Sequence, residues 1–435
     1  MASPLYRNER PGQFPDSWYV ATADIPAERP QLRGKQSADV CIVGAGFTGL
    51  SAARHLAAKG LDVIVVDAHR VGFGASGRNG GQVWSGYNLP QRALAAKYGQ
   101  DHARDLWEIT QEAKAIVRDL CATEVPDARF RPGIAEAATK PGEVDDMHRD
   151  AAFLQDTYGY DAVRNLTRAE MRELIQTDDY HGGHIDMGAG HIHPLRYVFG
   201  LARLAEAVGA RIYERTEVHD IAEGATVTVR TPNGVIAAKH VILAGNGYLP
   251  NITRAVTAKI LPVNSYIAAT EPLGDKASAV LSQDIAVSDS KFVNSYYRLS
   301  EDGRLLYGGR AAYGIGFPKD LKAEMATRMQ NMFPQLGRVK VDYAWGGTLG
   351  ITATKLPAIQ RVAPNIVSAA GYSGVGVAMS GMAGKVLAEA VAGQAGRFDT
   401  LAALKVPNYP GGKMLRAPIR HLAMTWFLLR DKLGL

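Results

Sequence analysis

The sequence predicts an α/β protein, α+β overall, in which a parallel-sheet part is joined to a mostly antiparallel β part. Three observations predict it. Asp39–Val43 is a short apolar run, glycines follow, Leu50–Lys59 has helical spacing, and Leu61–Val66 is a second apolar run, which together make a βαβ opening. Residues 260–347 are rich in Tyr and Val with period-two alternation, the signature of a mostly β region. At the far end, Asn365–Ala370 runs into Gly371–Gly376 and then into a helical pattern from Val377 to about Val391.

The elements follow in order. The first 37 residues are polar and rich in Pro and Arg, and read as an extended arm. After the βαβ opening, in which Gly60 ends the helix, comes the glycine-dense stretch Gly72–Gly86. Long helical patterns cover Gln100–Leu120 and Pro141–Tyr158. Leu195–Val208 is a helix closed by Gly209, with strands at Arg211–Tyr213 and Val227–Arg230. Thr231–Gly234 contains Pro-Asn-Gly and makes a hairpin turn, and His240–Ala244 is another buried strand.

Composition narrows the class. The chain has 435 residues, enough for two domains or three, and 46% hydrophobic with 21% charged residues is ordinary for a globular protein. Disorder, collagen and coiled coil are excluded. Glycine is in excess, 46 residues, against an average usage of about 7%. Most of the net charge of +6 lies in Lys413–Lys432, so no basic stripe points to nucleic acid. Two cysteines, Cys41 and Cys121, make no disulfide framework and fit a reducing cytoplasm. The N-terminal residues lack the apolar core of a signal peptide, and no run approaches the ~18 apolar residues of a membrane span.

The sharpest motif is Gly44-Ala45-Gly46-Phe47-Thr48-Gly49, a GxGxxG set between strand and helix. The first glycine makes the tight turn, the second lets backbone approach a pyrophosphate, and the third lets helix and strand pack closely. The helix start adds unpaired N–H groups and a positive dipole end. The next strand ends at Asp67-Ala68, where an acid meets a ribose hydroxyl about 20 residues on. That acid disfavours a 2′-phosphate and therefore NADP. The loop is the only one of its kind, and flavoproteins that also use NAD(P)H carry two, so FAD bound alone is the reading.

From Asp39 onward the chain resembles the D-amino-acid-oxidase-like family of flavoprotein amine oxidases, and within it the γ-glutamylputrescine oxidases. The motifs that carry the resemblance are Gly72-Phe73-Gly74-Ala75-Ser76-Gly77-Arg78-Asn79-Gly80-Gly81-Gln82, Gly190-His191-Ile192-His193-Pro194-Leu195 and Val241-Ile242-Leu243-Ala244-Gly245-Asn246. Tyr296-Tyr297-Arg298-Leu299, Leu305-Leu306-Tyr307-Gly308-Gly309 and Ala370-Gly371-Tyr372-Ser373-Gly374-Val375-Gly376 complete them. The resemblance implies a Rossmann-like FAD-binding domain (1–85, 190–258 and 346–435) interleaved with a mostly antiparallel β-sheet substrate domain (86–189 and 259–345). It implies that Gly74 to Val83 wrap the pyrophosphate and flavin edge. Val218 pairs its backbone with adenine, Ala244 and Gly245 line the adenosine side, and Gly371 to Val377 cap the flavin's pyrimidine end. The implied reaction is oxidation of an amine C–N bond to an imine that hydrolyses to aldehyde and ammonia, with O2 reduced to H2O2. The chemistry is centred on the flavin, and no catalytic side chain is singled out.

Departures from the family pattern bear on the substrate. Relatives of the sarcosine type hold the substrate carboxylate with a lysine where this chain has Ala378, which argues against a small α-amino acid. Close relatives often have His at Val375, and can have glycine at Arg310, which reads either as a surface arginine or as an anchor for a distant carboxylate. A γ-glutamylputrescine-type primary amine is the favoured substrate. A secondary amino acid such as L-pipecolate, oxidised by O2 or another acceptor, and a non-catalytic FAD-binding subunit are the alternatives.

Trp84, Tyr266, Tyr297 and Trp345 are candidates for an aromatic substrate wall. His181, His184, His191 and His193 cluster in sequence without the spacing of a metal motif, so no metal is expected. Neither cysteine falls in a flavin-facing motif, which makes FAD non-covalent. The segment Lys413–Leu435 places Leu415, Ile419, Leu422, Trp426 and Leu429 at helical spacing among cations, a helix that docks on the protein or on an anionic membrane. The expected location is cytoplasmic, with peripheral membrane contact through that helix left open.

Overall fold

The computed structural model describes residues 5–6, 12–249, 252–291, 293–312, 317–318 and 320–410. Its described strands form two sheets that draw on alternating stretches of the chain. The first runs in the order Ala358–Ala363, Ile366–Ala370, Gly234–Leu243, Gly34–Val43, Val63–Val66, Arg211–Tyr213, with Val227–Arg230 and Asp220–Ala222 added beside Gly234–Leu243. Gly34–Val43 lies parallel to both its neighbours, and Val40, Cys41 and Ile42 toward its C-terminal end are wholly buried. A parallel strand covered on both faces reads as a continuous apolar run, which is how 40–43 reads. Pairing extends this strand back to Gly34, so it begins before the predicted Asp39.

One face of that sheet is covered by the helices Phe47–Ala57 and Gly376–Val391. They cross closely: a Cβ at Gly384 would sit 2.2 Å from Thr48 O, and Ser51 Oγ donates to Gly381 O at 2.6 Å. Gly384 therefore serves helix packing rather than a ligand, whereas a Cβ at Gly381 would meet nothing within 4 Å. The N-terminal arm is also more than an extended lead. Ser17 caps the short helix Trp18–Thr22, whose Trp18 and Tyr19 are buried in the same core.

The second sheet runs Val341–Ile351, Leu261–Thr270, Leu305–Ala312, Tyr296–Leu299, Ala286–Asp289, Arg131–Ala137, Gly183–His191, Gln82–Val83, with Val163–Leu166 beside Gly183–His191. Most of its pairs are antiparallel; Ala286–Asp289 on Arg131–Ala137 is parallel. Its outer face packs on a separate core with the helix Leu321–Met332, an element that the β reading of 260–347 did not anticipate. Among the described residues no helix is long and apolar enough to cross a membrane. The predicted C-terminal basic helix lies outside the described residues.

Candidate active site

The parallel strands deliver their C-terminal ends to one place. Gly34–Val43, Val63–Val66 and Gly234–Leu243 lead into Gly44, Asp67 and Ala244, and all three line one cavity of about 810 Å³. Open parallel sheets bind ligands there, outside the carboxyl ends of their strands. The cavity continues from the first sheet to the inner face of the second, reaching Glu136, His184, Asp186 and Ser288.

The glycine loop has the geometry its sequence implied. Gly44 adopts φ +113°, and a Cβ there would sit 2.8 Å from Ala244 O. A Cβ at Gly49 would lie 1.9 Å from Gly44 O. The helix Phe47–Ala57 starts at Gly46, which has no side chain to cap it, and its first residues Phe47 and Thr48 line the cavity. Phe47 N donates to Ser76 Oγ at 3.0 Å, joining this loop to the next. Gly376–Val391 also begins at the cavity without a side-chain cap. Two helix N-termini thus converge on one space, which favours an anionic or reducible group.

Asp67 closes the loop: its Oδ2 accepts Ala45 N at 2.7 Å and its Oδ1 accepts His69 N at 2.8 Å. Burial pushes this carboxyl up to about 6, against the two backbone donors that favour its charge, with Glu214 adding to the rise. In the stretch 72–83, two polar side chains are spent on the loop itself. Asn79 Nδ2 donates to Ala75 O and Ser76 O at 3.0 Å, and its Oδ1 accepts Gly81 N. Arg78 donates to Phe73 O and Gly346 O and lies 4.4 Å from the Phe73 ring. The cap stretch is held likewise: Tyr372 OH bonds Thr48 Oγ1 at 2.7 Å, Asn88 donates to Ser373 O, and Ser373 takes φ +51°.

Of the residues expected at FAD, Gly44 to Thr48, Asp67, Ala68, Gly74 to Ser76, Arg78, Asn79, Gly80, Gln82, Val218, Ala244, Gly245 and Tyr372 to Val377 line the cavity. Gly49, Gly77, Gly81, Val83 and Gly371 do not. The glycines among these stand behind the wall, where a Cβ on Gly77 would meet Gly72 O at 2.1 Å and one on Gly81 would meet Ile192 O at 2.1 Å. These cradles and uncapped helix starts, with an acid at the second strand, fit an FAD.

The aromatic candidates divide. Trp84 lines the cavity. Tyr297 and Tyr266 point into the core behind the second sheet, Tyr297 bonded to Tyr180 OH at 3.1 Å and Tyr266 at 5.3 Å from Phe317. Trp345 is buried in the other core, its Nε1 donating to Arg78 O at 3.0 Å. The reason is strand parity: the neighbours Tyr296 and Ser265, not Tyr297 and Tyr266, face the cavity, and they bond each other at 3.0 Å. Arg310 sits on Leu305–Ala312 opposite Tyr266; its side chain lies outside the described residues.

Sequence reading missed the cavity's second half. Trp107, Met147, Asp150 and Leu154 come from the two long helices, and Glu136 and His184 face each other across neighbouring strands, 3.6 Å apart. The alternation of His184 and Asp186 about the buried Ile185 was a usable signal, yet only strand pairing shows which face it serves. Among the described residues no three His, Cys, Asp or Glu side chains gather as metal ligands. His193 caps the helix Pro194–Ala207 by accepting Arg196 N, and His191 lies 3.3 Å from Asp284. Neither cysteine lines the cavity.

The family description "DAO: FAD dependent oxidoreductase" matches residues 39–390. The chain is 37% identical to a probable oxidoreductase OrdL of Rhizobium meliloti, over 96% of this chain and 97% of that one. It is also 37% identical to the gamma-glutamylputrescine oxidoreductase of Escherichia coli, over 96% and 98%. Among solved structures, glycine oxidase from Geobacillus kaustophilus superposes with a TM-score of 0.70 at 22% identity, over 86% of this chain and all of that one.

Proposed function

The chain belongs to the DAO family of FAD-dependent oxidoreductases, and from that premise we propose that it oxidises a γ-glutamylputrescine-type primary amine. The amine and O2 give an imine and H2O2, and water then converts the imine to aldehyde and ammonia. Bound FAD supplies the two-electron acceptor. The chain's own residues hold it: the loops at 44–49, 72–83 and 371–377 by backbone, and Asp67 by its carboxylate.

The observation that carries the substrate class is the far arm of the cavity. Glu136, Asp150 and Asp186 line it together with Trp84 and Trp107. Acids attract an ammonium group, and indole faces suit both a cation and an aliphatic chain. Lys291, also in the wall, offers the cation that a glutamyl carboxylate requires. Ala378 is buried within the helix Gly376–Val391 and lies off the cavity, so no cation stands there for the carboxylate of a small amino acid.

Anaerobic bleaching of the flavin across a panel of amines tests the reading. γ-Glutamylputrescine is expected to bleach it and, in air, to yield one H2O2 per amine consumed. Bleaching by L-pipecolate alone would replace this substrate class with a secondary amino acid. A yellow protein that no amine bleaches would be an FAD-binding subunit without this activity.

A further inference from the structure

A buried lysine stands behind the substrate arm. Lys114, on the helix Gln100–Thr123, is 5% exposed and makes no ion pair among the described residues. Its Nζ donates instead to two hydroxyls, Ser85 Oγ at 2.9 Å and Tyr160 OH at 2.7 Å. Tyr160 OH donates onward to Asp186 Oδ1 at 2.6 Å, and the same oxygen accepts the N–H groups of Gly188 and Ala189. Ser85 and Asp186 both line the cavity, whereas Lys114 and Tyr160 do not. A four-membered chain, buried except for the half-buried Tyr160, therefore opens on the substrate arm at two points.

The substrate class of the proposed function gives this chain a task, and the task rests on that reading. An alkylamine reaches a neutral solution as an ammonium ion. Its nitrogen lone pair, which must stabilise the developing C=N bond, is then occupied by a proton. Removal of that proton has to precede oxidation, and a group of matched basicity beside the cavity is needed to take it.

We propose that Ser85, Lys114, Tyr160 and Asp186 form the proton-accepting unit for the substrate ammonium. Asp186 draws the cation to this wall. Ser85 Oγ accepts one ammonium proton while its own hydroxyl proton passes to Lys114 Nζ. One substrate N–H bond breaks and one lysine N–H bond forms; no electrons leave the substrate in this step, and its lone pair is freed. Tyr160 holds the product state, because its single proton is committed to Asp186 and its oxygen then accepts, from the lysine at 2.7 Å and from Ser85 Oγ at 3.0 Å.

Burial lowers Lys114 to about 8, so its neutral form is accessible near neutrality. Asp186 across the chain opposes that shift, and Arg118, one turn along the same helix, adds to it. Glu112 on this helix is engaged elsewhere, by Lys385 and Arg397. The requirement for a neutral lysine means that activity rises with pH through about 8.

The test is the pH dependence of anaerobic flavin reduction by an amine that bleaches the wild-type holoenzyme. The limiting rate is expected to rise to a plateau with a midpoint near pH 8. Lys114→Met should lower it by about 10²-fold or more and abolish that midpoint, which loss of packing alone would not do. Ser85→Ala should act in the same direction, and Tyr160→Phe should displace the midpoint; both serve if Lys114→Met does not fold. Independently of turnover, Asp186→Asn should weaken a competitive N,N,N-trimethyl analogue at least tenfold, read from the flavin absorbance difference, at unchanged FAD content. Wild-type rates and an unchanged profile in Lys114→Met and Ser85→Ala would overturn the proton-accepting unit and leave the proposed function standing. If no amine bleaches the wild type, both fall together.

Discussion

Ala45 donates its backbone N–H to Asp67 Oδ2 at 2.7 Å, so the acid at the end of the second strand ties down the middle of the glycine loop. Its other oxygen holds His69 N at 2.8 Å. The residue expected to meet a ribose thus also sets the loop expected to meet the pyrophosphate. Replacing it removes two jobs at once. Hydrogen bonds to a charged group contribute about 1.5–3 kcal/mol each. Asp67→Ala should therefore weaken FAD binding by roughly 10- to 100-fold, measured by titrating apoprotein with FAD and following the quenching of its fluorescence. Asp67→Asn, which keeps an acceptor, should fall between.

The same carboxyl makes the apoprotein sensitive to pH. Burial raises it to about 6, above the ordinary aspartate value of about 3.9. The folded chain therefore holds a proton that the unfolded chain has released between about pH 4 and 6, and stability from this group falls as pH rises through that window. Below it the contribution is fully present, and above it the contribution is lost. Asp289, also raised to about 6 by burial, acts in the same direction. Melting temperatures of the apo forms should show Asp67→Asn gaining on the wild type between pH 4 and 6. A gap that does not change with pH would refute the shift.

Gly49 faces a backbone atom that cannot yield: a Cβ there would stand 1.9 Å from Gly44 O. Gly49→Ala must push the helix Phe47–Ala57 away from the strand or displace Gly44 from the cavity wall. Overpacking of this kind costs about 1–3 kcal/mol, and it lands on the loop proposed to hold the cofactor. The variant should lose FAD during purification, seen as a lower ratio of flavin to protein absorbance. A comparable Ala at Gly60, where nothing lies within 4 Å but φ is +84°, should lower stability without affecting FAD content.

Tyr296 and Tyr297 show what was legible in the sequence and what was not. The glycine loop was readable because its tight turn depends on neighbours within a few residues. The acid and the cap loop, held to it across the chain by the Asp67–Ala45 and Tyr372–Thr48 bonds, were expected from motif spacing and from the family resemblance. The substrate wall is non-local. Alternation places Tyr296 and Tyr297 on opposite faces of one strand, and only the pairing of that strand with Leu305–Ala312 and Ala286–Asp289 settles which face meets the cavity. Lys114, Tyr160 and Asp186 come from a helix, a loop and a strand far apart in the chain, so no motif announces them. The two tyrosines give a direct check. Tyr296→Ala should change the KM for the amine, whereas Tyr297→Phe should lower stability by about 1 kcal/mol through its lost bond to Tyr180 and leave KM alone.

Arg298 extends that strand's influence to the loop at 72–83. It is 5% exposed, with Nε donating to Gly80 O at 3.0 Å and Nη2 donating to Ile192 O at 3.1 Å and Tyr19 OH at 3.3 Å. One guanidinium thus joins the N-terminal arm, the loop at 72–83 and the start of the helix Pro194–Ala207. Its planar fork is what allows three separate acceptors to be served, and a lysine's single nitrogen cannot reach all of them. Arg298→Met should leave Gly80 O and Ile192 O without a donor at a cost of about 1–3 kcal/mol each. The loss should appear both as a lower melting temperature and as faster release of FAD, because Gly80 lines the cavity. Arg298→Lys, which restores one bond, should recover part of the melting temperature and less of the FAD retention. Equal recovery of both would mean that Arg298 supports the fold without positioning the loop.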